Sequence, residues 1–428
     1  MPGTSYYDVP PSAARLTGSL RDIGYDFQTA VADLVDNSIA AGAHRIGVEL
    51  VFDPNASYVL IWDDGAGMGP AGLLEALRFG SRRAYATNEL GRFGLGLKTG
   101  TFSQCRRLTA VSRQARHQAR YHVRTLDLDY IERRDSWSVL ADEQSDAIEE
   151  AVRILQDGPG TVIVWEKLDR VLPDRYAESG WGRRRLNMLA KKTADHLGLV
   201  FHRFIAGERE IEPVAISVNG EKLAAWDPFA RDEEHTETVP EEIFEVENGD
   251  EPSEVVFRGY VLPPRDQFSS QEAFERLSGP LKWNRQQGLY VYRANRLVQY
   301  GGWSGLRGID EHTKLARASI DFDTELDETF QINVAKMSVV LPPTLRNMLE
   351  RPVHDLCARA DSAYRRAASA AEPRRPSAAK ASADGVALLE IGVALKAAMY
   401  ENTDLPGFRK ALDTFRRRHP EVSAALGI

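Results

Sequence analysis

The sequence predicts an α/β fold, and three neighbouring stretches carry that reading. From Asp26 to about Ala41, apolar Phe27, Val31, Leu34, Val35 and Ile39 recur at helical spacing, with Asp26 placed as N-cap and Gly42 as stop. RIGVELVF (45–52) then alternates Ile46, Val48, Leu50 and Phe52, the period of a half-buried strand. YVLIWD (58–63) reads as a more buried strand that runs straight into the glycine turn DGAGMG.

The remaining elements follow in order. Residues 1–17 carry Pro, Ser and Gly and read as an extended arm. A short helix is expected at about 70–79, then the polar stretch SRRAYATNEL, then GRFGLGLKTG. Strands are expected at 106–113, 119–128 and 161–168, closing a first α/β domain over 18–172. A second α/β domain spans 195–368, with strands at 254–262, 288–299 and 316–322. Residues 369–385 are rich in Ala, Ser and Pro and read as a linker, and a helical tail (386–428) carries Leu388, Leu395, Phe408 and Phe415.

Composition narrows the classes of function. The chain has 428 residues, with 54 Lys+Arg against 62 Asp+Glu for a formal charge of −8. Eleven of those acids lie with one arginine in 231–254, a local charge of −10, so the other residues carry +2. The acidic stretch reads as a solvated loop, and the total does not exclude a nucleic-acid-binding face. No apolar run reaches the ~18 residues that cross a bilayer, and the first residues lack the apolar core of a secretory signal. Cys105 and Cys357 match no metal spacing or disulfide framework. A cytoplasmic protein without a membrane partner is expected.

Three segments carry chemistry. Asp33 and Asn37 stand four apart and share a helix face. A carboxylate there can accept a proton from water, while the carboxamide oxygen a turn away ligates Mg²⁺. Alone, the pair reads as two solvated surface residues. Asp63 is delivered by a buried strand into a turn where Gly65 and Gly67 let the backbone approach a flat ring and Met68 offers a polarizable contact. Taken in isolation, an ordinary strand-to-helix turn explains it equally well. In GRFGLGLKTG, Gly91, Gly94 and Gly96 precede a helix whose free N–H groups can hold phosphate, and Lys98 adds charge. It is neither a Walker loop, because Leu97 intervenes before Lys98, nor a Rossmann fingerprint, because the third glycine would fall at Thr99.

In this order, D-L-V-D-N, D-D-G-A-G-M and G-R-F-G-L-G-L-K resemble the GHKL ATPase superfamily of gyrase, the ninety-kilodalton heat-shock chaperone, histidine kinases, MutL and MORC. Gly160-Thr161 matches the family's last box, and the wording is most like prokaryotic MORC-like ATPases. The resemblance implies a Bergerat-fold α/β sandwich over 18–172, a transducer domain over 195–368 and ATP with Mg²⁺ as ligands. It makes Asn37 the magnesium ligand and Asp63 the adenine-binding acid, with Gly65, Gly67 and Met68 as the ring-contacting turn. Gly91, Arg92, Phe93, Gly94, Leu95, Gly96, Leu97 and Lys98 become the phosphate-binding end of an ATP lid whose mobile part is 70–95. Thr161 would support Asp63 through a water. Lys336, in FQINVAKMSVV, resembles the transducer lysine that senses the γ-phosphate. The implied whole is a slow ATPase that forms a homodimer through its ATPase domain on binding nucleotide.

One departure stands out. The family's general base is Glu, and here that position is Asp33, whose carboxylate reaches about 1.5 Å less far. Closer helix approach, an intervening water or slow turnover would each accommodate it. The rival readings are a nucleotide-gated interaction module with negligible turnover, a heat-shock-chaperone-like ATPase, and a DNA-associated clamp of a defence system. For the last, Arg82, Arg83, Arg106, Arg107, Arg113, Arg116, Arg120, Arg183, Arg184, Arg185, Lys191, Lys192 and Arg416–Arg418 are candidate contacts to duplex DNA.

Overall fold

A computed structural model describes residues 7, 9, 11–22, 24–80, 96–114, 120–173, 180–249, 251–332, 339–371 and 413–417. The chain divides into two units, Met1–Arg365 and Arg366–Ile428. In the second, residues 413–417 are helical, and most of the expected linker and tail lies outside the described residues.

The first unit opens with α1 (Ala13–Arg21) and α2 (Phe27–Ala40). Asp26 caps α2 as its sequence predicts, its carboxylate accepting from the Thr29 N–H at 2.7 Å. The helix ends at Ala41, and Gly42 takes the left-handed backbone (φ +73°). Strands β1 (Arg45–Val51) and β2 (Tyr58–Asp63) pair antiparallel, and α3 (Pro70–Leu77) and α4 (Gly96–Phe102) follow. β3 (Arg107–Arg113), β4 (His122–Asp127), α5 (Leu128–Arg134), β5 (Leu140–Ala141), α6 (Asp146–Ile154) and β6 (Gly160–Glu166) come next, then α7 (Gly180–Val200) and α8 (His202–Ala206).

With β7 (Ala215–Val218) and β8 (Glu221–Lys222), these strands form an eight-stranded sheet in the order β5-β4-β3-β6-β2-β1-β7-β8. Only β1 and β7 run parallel, so the sheet is mixed and takes its last two strands from beyond residue 172. Alternation sorts its residues between two covers. Val59, Ile61, Ile163 and Trp165 pack with Val31, Leu34 and Val35 of α2 and Leu186 and Leu189 of α7. Leu60, Val162 and Val164 meet Ala147, Ile148 and Ala151 of α6 on the other side.

A second mixed sheet has the order β10-β11-β14-β12-β13, with β9 paired to β11. Its strands are β9 (Glu237–Thr238), β10 (Glu242–Asn248), β11 (Glu251–Val261), β12 (Gly288–Arg293), β13 (Arg296–Tyr300) and β14 (Ala316–Phe322), and α9 (Gln271–Leu277), α10 (Lys282–Gln286) and α11 (Pro343–Ala371) accompany them. The acidic stretch is therefore a strand pair and not a loop: β10 and β11 run antiparallel from Glu242↔Phe257 to Asn248↔Glu251. β10 is an edge, and its exposed glutamates fit there because like charges discourage another strand from adding to it. Among the described residues no helix is long and apolar enough to cross a membrane.

Candidate active site

One end of the site is assembled where β2, β6, β3 and α2 meet. Register places Asp63 opposite Thr161, and Thr161 opposite Ser112. The buried Asp63 carboxylate accepts from the Ser38 hydroxyl at 3.0 Å and from the Gly65 N–H at 3.0 Å. Burial nonetheless raises its pKa, against the hydrogen bonds of Gly65, Ser38 and the Thr161 backbone. Asp64 next door shifts down: burial pushes it up, but the backbone N–H groups of His44 and Arg45, each at 2.8 Å, and the Arg45 guanidinium outweigh that. Adjacent carboxylates thus divide the work, Asp64 tying the turn to β1 and Asp63 facing the site. The Ser112 and Thr161 hydroxyls lie 2.9 Å apart, and the Ser112 hydroxyl also accepts from the Met68 N–H at 2.7 Å.

The glycine turn is shaped by close backbone contacts. Gly67 has φ +65°, and a Cβ there would sit 1.9 Å from the Arg113 carbonyl oxygen. Gly160 has φ +150°, and its Cβ would lie 2.0 Å from the Asp63 carbonyl oxygen. Only glycine satisfies both demands at either position.

The other end lies along α2. Asn37 is exposed, whereas Asp33, a turn earlier, is only 3 % exposed. The expected solvated face is thus covered at Asp33, and α4 covers it: a Cβ on Gly96 would sit 2.9 Å from Asp33 Oδ2, and one on Gly100 would sit 3.4 Å from the Ala30 Cα. Two glycines one turn apart let α4 approach α2 closely enough to bring the chain at residue 96 against the short carboxylate. Tyr25 also faces Asp33, and burial together with that carboxylate pushes the Tyr25 hydroxyl well above its ordinary range.

Comparisons with known proteins bear on the same segment. Residues 25–161 match the family described as histidine kinase-, DNA gyrase B- and HSP90-like ATPase. This segment is a GHKL ATPase domain. The chain is similar to ATPase morc-1 of Caenorhabditis elegans, 35 % identical over 86 residues, which are 20 % of this chain and 10 % of that protein. It is also similar to Protein MICRORCHIDIA 6 of Arabidopsis thaliana, 34 % identical over 94 residues, 21 % of this chain and 14 % of that protein. The chain therefore matches these relatives over only a tenth to a seventh of their length.

The expected residues fall into three groups. Asp33, Asn37, Asp63, Gly65, Gly67, Met68, Gly96, Leu97 and Thr161 lie on α2, the turn after β2, the start of α4 and β6, Met68 and Leu97 packing partly buried against the main core. Thr161 bonds Asp63 through its backbone, and its hydroxyl lies 2.9 Å from that of Ser112. Lys98 is 2 % exposed and donates to the Ala76 carbonyl at 2.9 Å, tying α4 to the end of α3. Burial pushes its pKa down to about 8, with Glu75 pulling upward. Gly91, Arg92, Phe93, Gly94, Leu95 and Lys336 lie outside the described residues.

Sequence reasoning missed Ser38, Ser112, Asp36 and Arg296. Asp36 is fully buried and accepts from Arg296 Nε at 2.9 Å, across 260 residues. A second buried acid three positions after Asp33 was a readable sign that a cation must come from elsewhere. Three arginines of the basic hairpin have partners within the fold. Arg106 pairs with Asp129 and Glu132, Arg107 with Glu143, and Arg113 donates to the Leu155 and Gln156 carbonyls. These three make intramolecular contacts that hold the fold.

Proposed function

We propose that the chain binds MgATP and hydrolyses it slowly as a MORC-like GHKL protein, with Asp33 as general base and Asp63 as the adenine-binding acid. The observation that supports this most is the arrangement along α2. Ser38 supports Asp63 at one end, Asn37 is exposed beside it, and Asp33 lies against Gly96 at the other. In this reading Asp63 accepts a hydrogen bond from the exocyclic amine of adenine, and the Gly65–Gly67 turn contacts the ring. Asp33 takes the proton from the water that attacks the γ-phosphorus, and the bond to the β-phosphate oxygen breaks.

The donor set fits magnesium. Among the described residues no cluster of three or more His, Cys, Asp or Glu could hold a metal ion, and a lone carboxamide oxygen suits Mg²⁺, which keeps several waters and takes phosphate oxygens. Asn37 would hold it, and when bound it neutralises charge on the phosphates. Residues 195–368 serve as transducer in this reading, with Lys336 as the γ-phosphate sensor. Homodimerisation on nucleotide follows from the likeness to the family, as does a DNA- or defence-associated role.

Two observations favour a second reading, a nucleotide-gated binding switch: Asp33 is covered and Lys98 is turned to Ala76. Phosphate release from MgATP, with Asn37→Ala as control, separates the two. Turnover by the wild type and loss in the control supports hydrolysis. Nucleotide binding without phosphate release leaves the switch.

A further inference from the structure

Two carboxylates of α2, Asp33 and Asp36, are buried one turn apart. Burying charge is unfavourable unless a counter-charge accompanies it. Arg296, at the start of β13 in the second sheet, is only 2 % exposed and lies beside both: Nε is 2.9 Å from Asp36 Oδ1 and Nη2 is 4.0 Å from Asp33 Oδ1. The guanidinium also stands 5.7 Å over the Phe201 ring, between α7 and α8. A planar fork held this way offers donors in fixed directions. Arg296 repels a proton on His196 of α7, whose pKa burial and that repulsion push down to about 4.

We propose that Arg296 is a positioning residue: anchored by Asp36, it holds the Asp33 carboxylate against Gly96, so that the proton-accepting group is set in place from the second sheet. This rests on the reading of Asp33 as general base. Asp36 fixes the guanidinium, Arg296 fixes one oxygen of Asp33, and Gly96 leaves room for the other. The fit around Asp33 is close, since a Cβ on Gly96 would lie only 2.9 Å from Oδ2, and a longer acid at position 33 would have to place its carboxylate elsewhere. It also links hydrolysis to the seating of β13 on α2, since displacement of that strand withdraws the guanidinium.

The test uses the full chain with Arg296→Lys and the charge-neutral pair Asp36→Asn with Arg296→Gln, which removes opposite charges together and so spares folding. Three quantities are read: melting temperature, affinity for a non-hydrolysable ATP analogue, and single-turnover phosphate release. The expected result is analogue affinity within about threefold of wild type and turnover at least about tenfold lower in the neutral pair, with Arg296→Lys in between. The melting shift caused by Asp33→Asn should also differ by about 2 °C or more between the wild-type and neutral-pair backgrounds. Wild-type turnover in the neutral pair, or the same melting shift in both backgrounds, overturns the proposal. If the wild type itself releases no phosphate while the melting shifts still differ, the hydrolytic reading falls and the Arg296–Asp33 contact stands.

Discussion

The two ends of the candidate site are built differently. At the Ser38 end, Asp63 is held by groups near it in the chain: Ser38 of α2, Gly65 of the turn and Thr161 of β6 all come from the first 161 residues. At the Asp33 end, the carboxylate is enclosed by Gly96 from α4 and approached by Arg296 from the second sheet. The first is complete within the first sheet and the helix packed on it. The second depends on two elements staying docked, so the end assigned to chemistry can respond to movements that leave the end assigned to recognition untouched.

Several substitutions break or sharpen this contrast. Gly67→Ala should have the largest effect, because its Cβ would overlap the Arg113 carbonyl oxygen at 1.9 Å and φ is +65°. A loss of about 4 kcal/mol, read from denaturant unfolding, is expected, and retention of wild-type stability would show that the turn is not rigid. Lys98 comes next. Its folded pKa, pushed down to about 8 from 10.5, means that the unfolded chain binds the extra proton between those values. Stability from this site is therefore fully present above 10.5 and lost as pH falls through about 8. Relative to Lys98→Met, the wild type should gain on the order of 3 kcal/mol from pH 8 to 10.5 in parallel unfolding titrations. A flat difference would mean that the amine is solvated.

Asp63→Ala should weaken nucleotide binding by about 2 kcal/mol, roughly 30-fold by calorimetry, through loss of an acceptor for the base. Unchanged affinity would remove Asp63 from the recognition end. Ser38→Ala is the mildest. It deletes one hydrogen bond to Asp63 and should reduce affinity about fivefold, with kcat unaltered once nucleotide is saturating. A fall in kcat alone would mean that the two ends are not separable.

What the sequence made legible follows the same division. The helix at 27–40, the strands at 45–51 and 58–63 and the turn after Asp63 are local patterns of period and glycine, and they appear where expected. The Asp63 end was readable because its main pieces are consecutive segments with distinctive wording. Ser112 was not, since its place depends on the register of β3 against β6. Asp36–Arg296 spans 260 residues, and no local pattern encodes which strand reaches α2. The acidic hairpin was read as a loop because charge hid a strand whose partner, not its alternation, defines it. Lys98 was read toward phosphate from its motif, whereas the Ala76 carbonyl at the end of α3 is the acceptor that the fold offers it.

The most direct measurement is phosphate release under single-turnover conditions by wild type, Asp33→Asn and Asp33→Glu, each first shown to bind the ATP analogue. With Asp33 fitted as a short base against Gly96, wild type should be fastest, Asp33→Asn slower by at least about 100-fold and Asp33→Glu also impaired. A faster Asp33→Glu, or undiminished turnover in Asp33→Asn, would contradict the account.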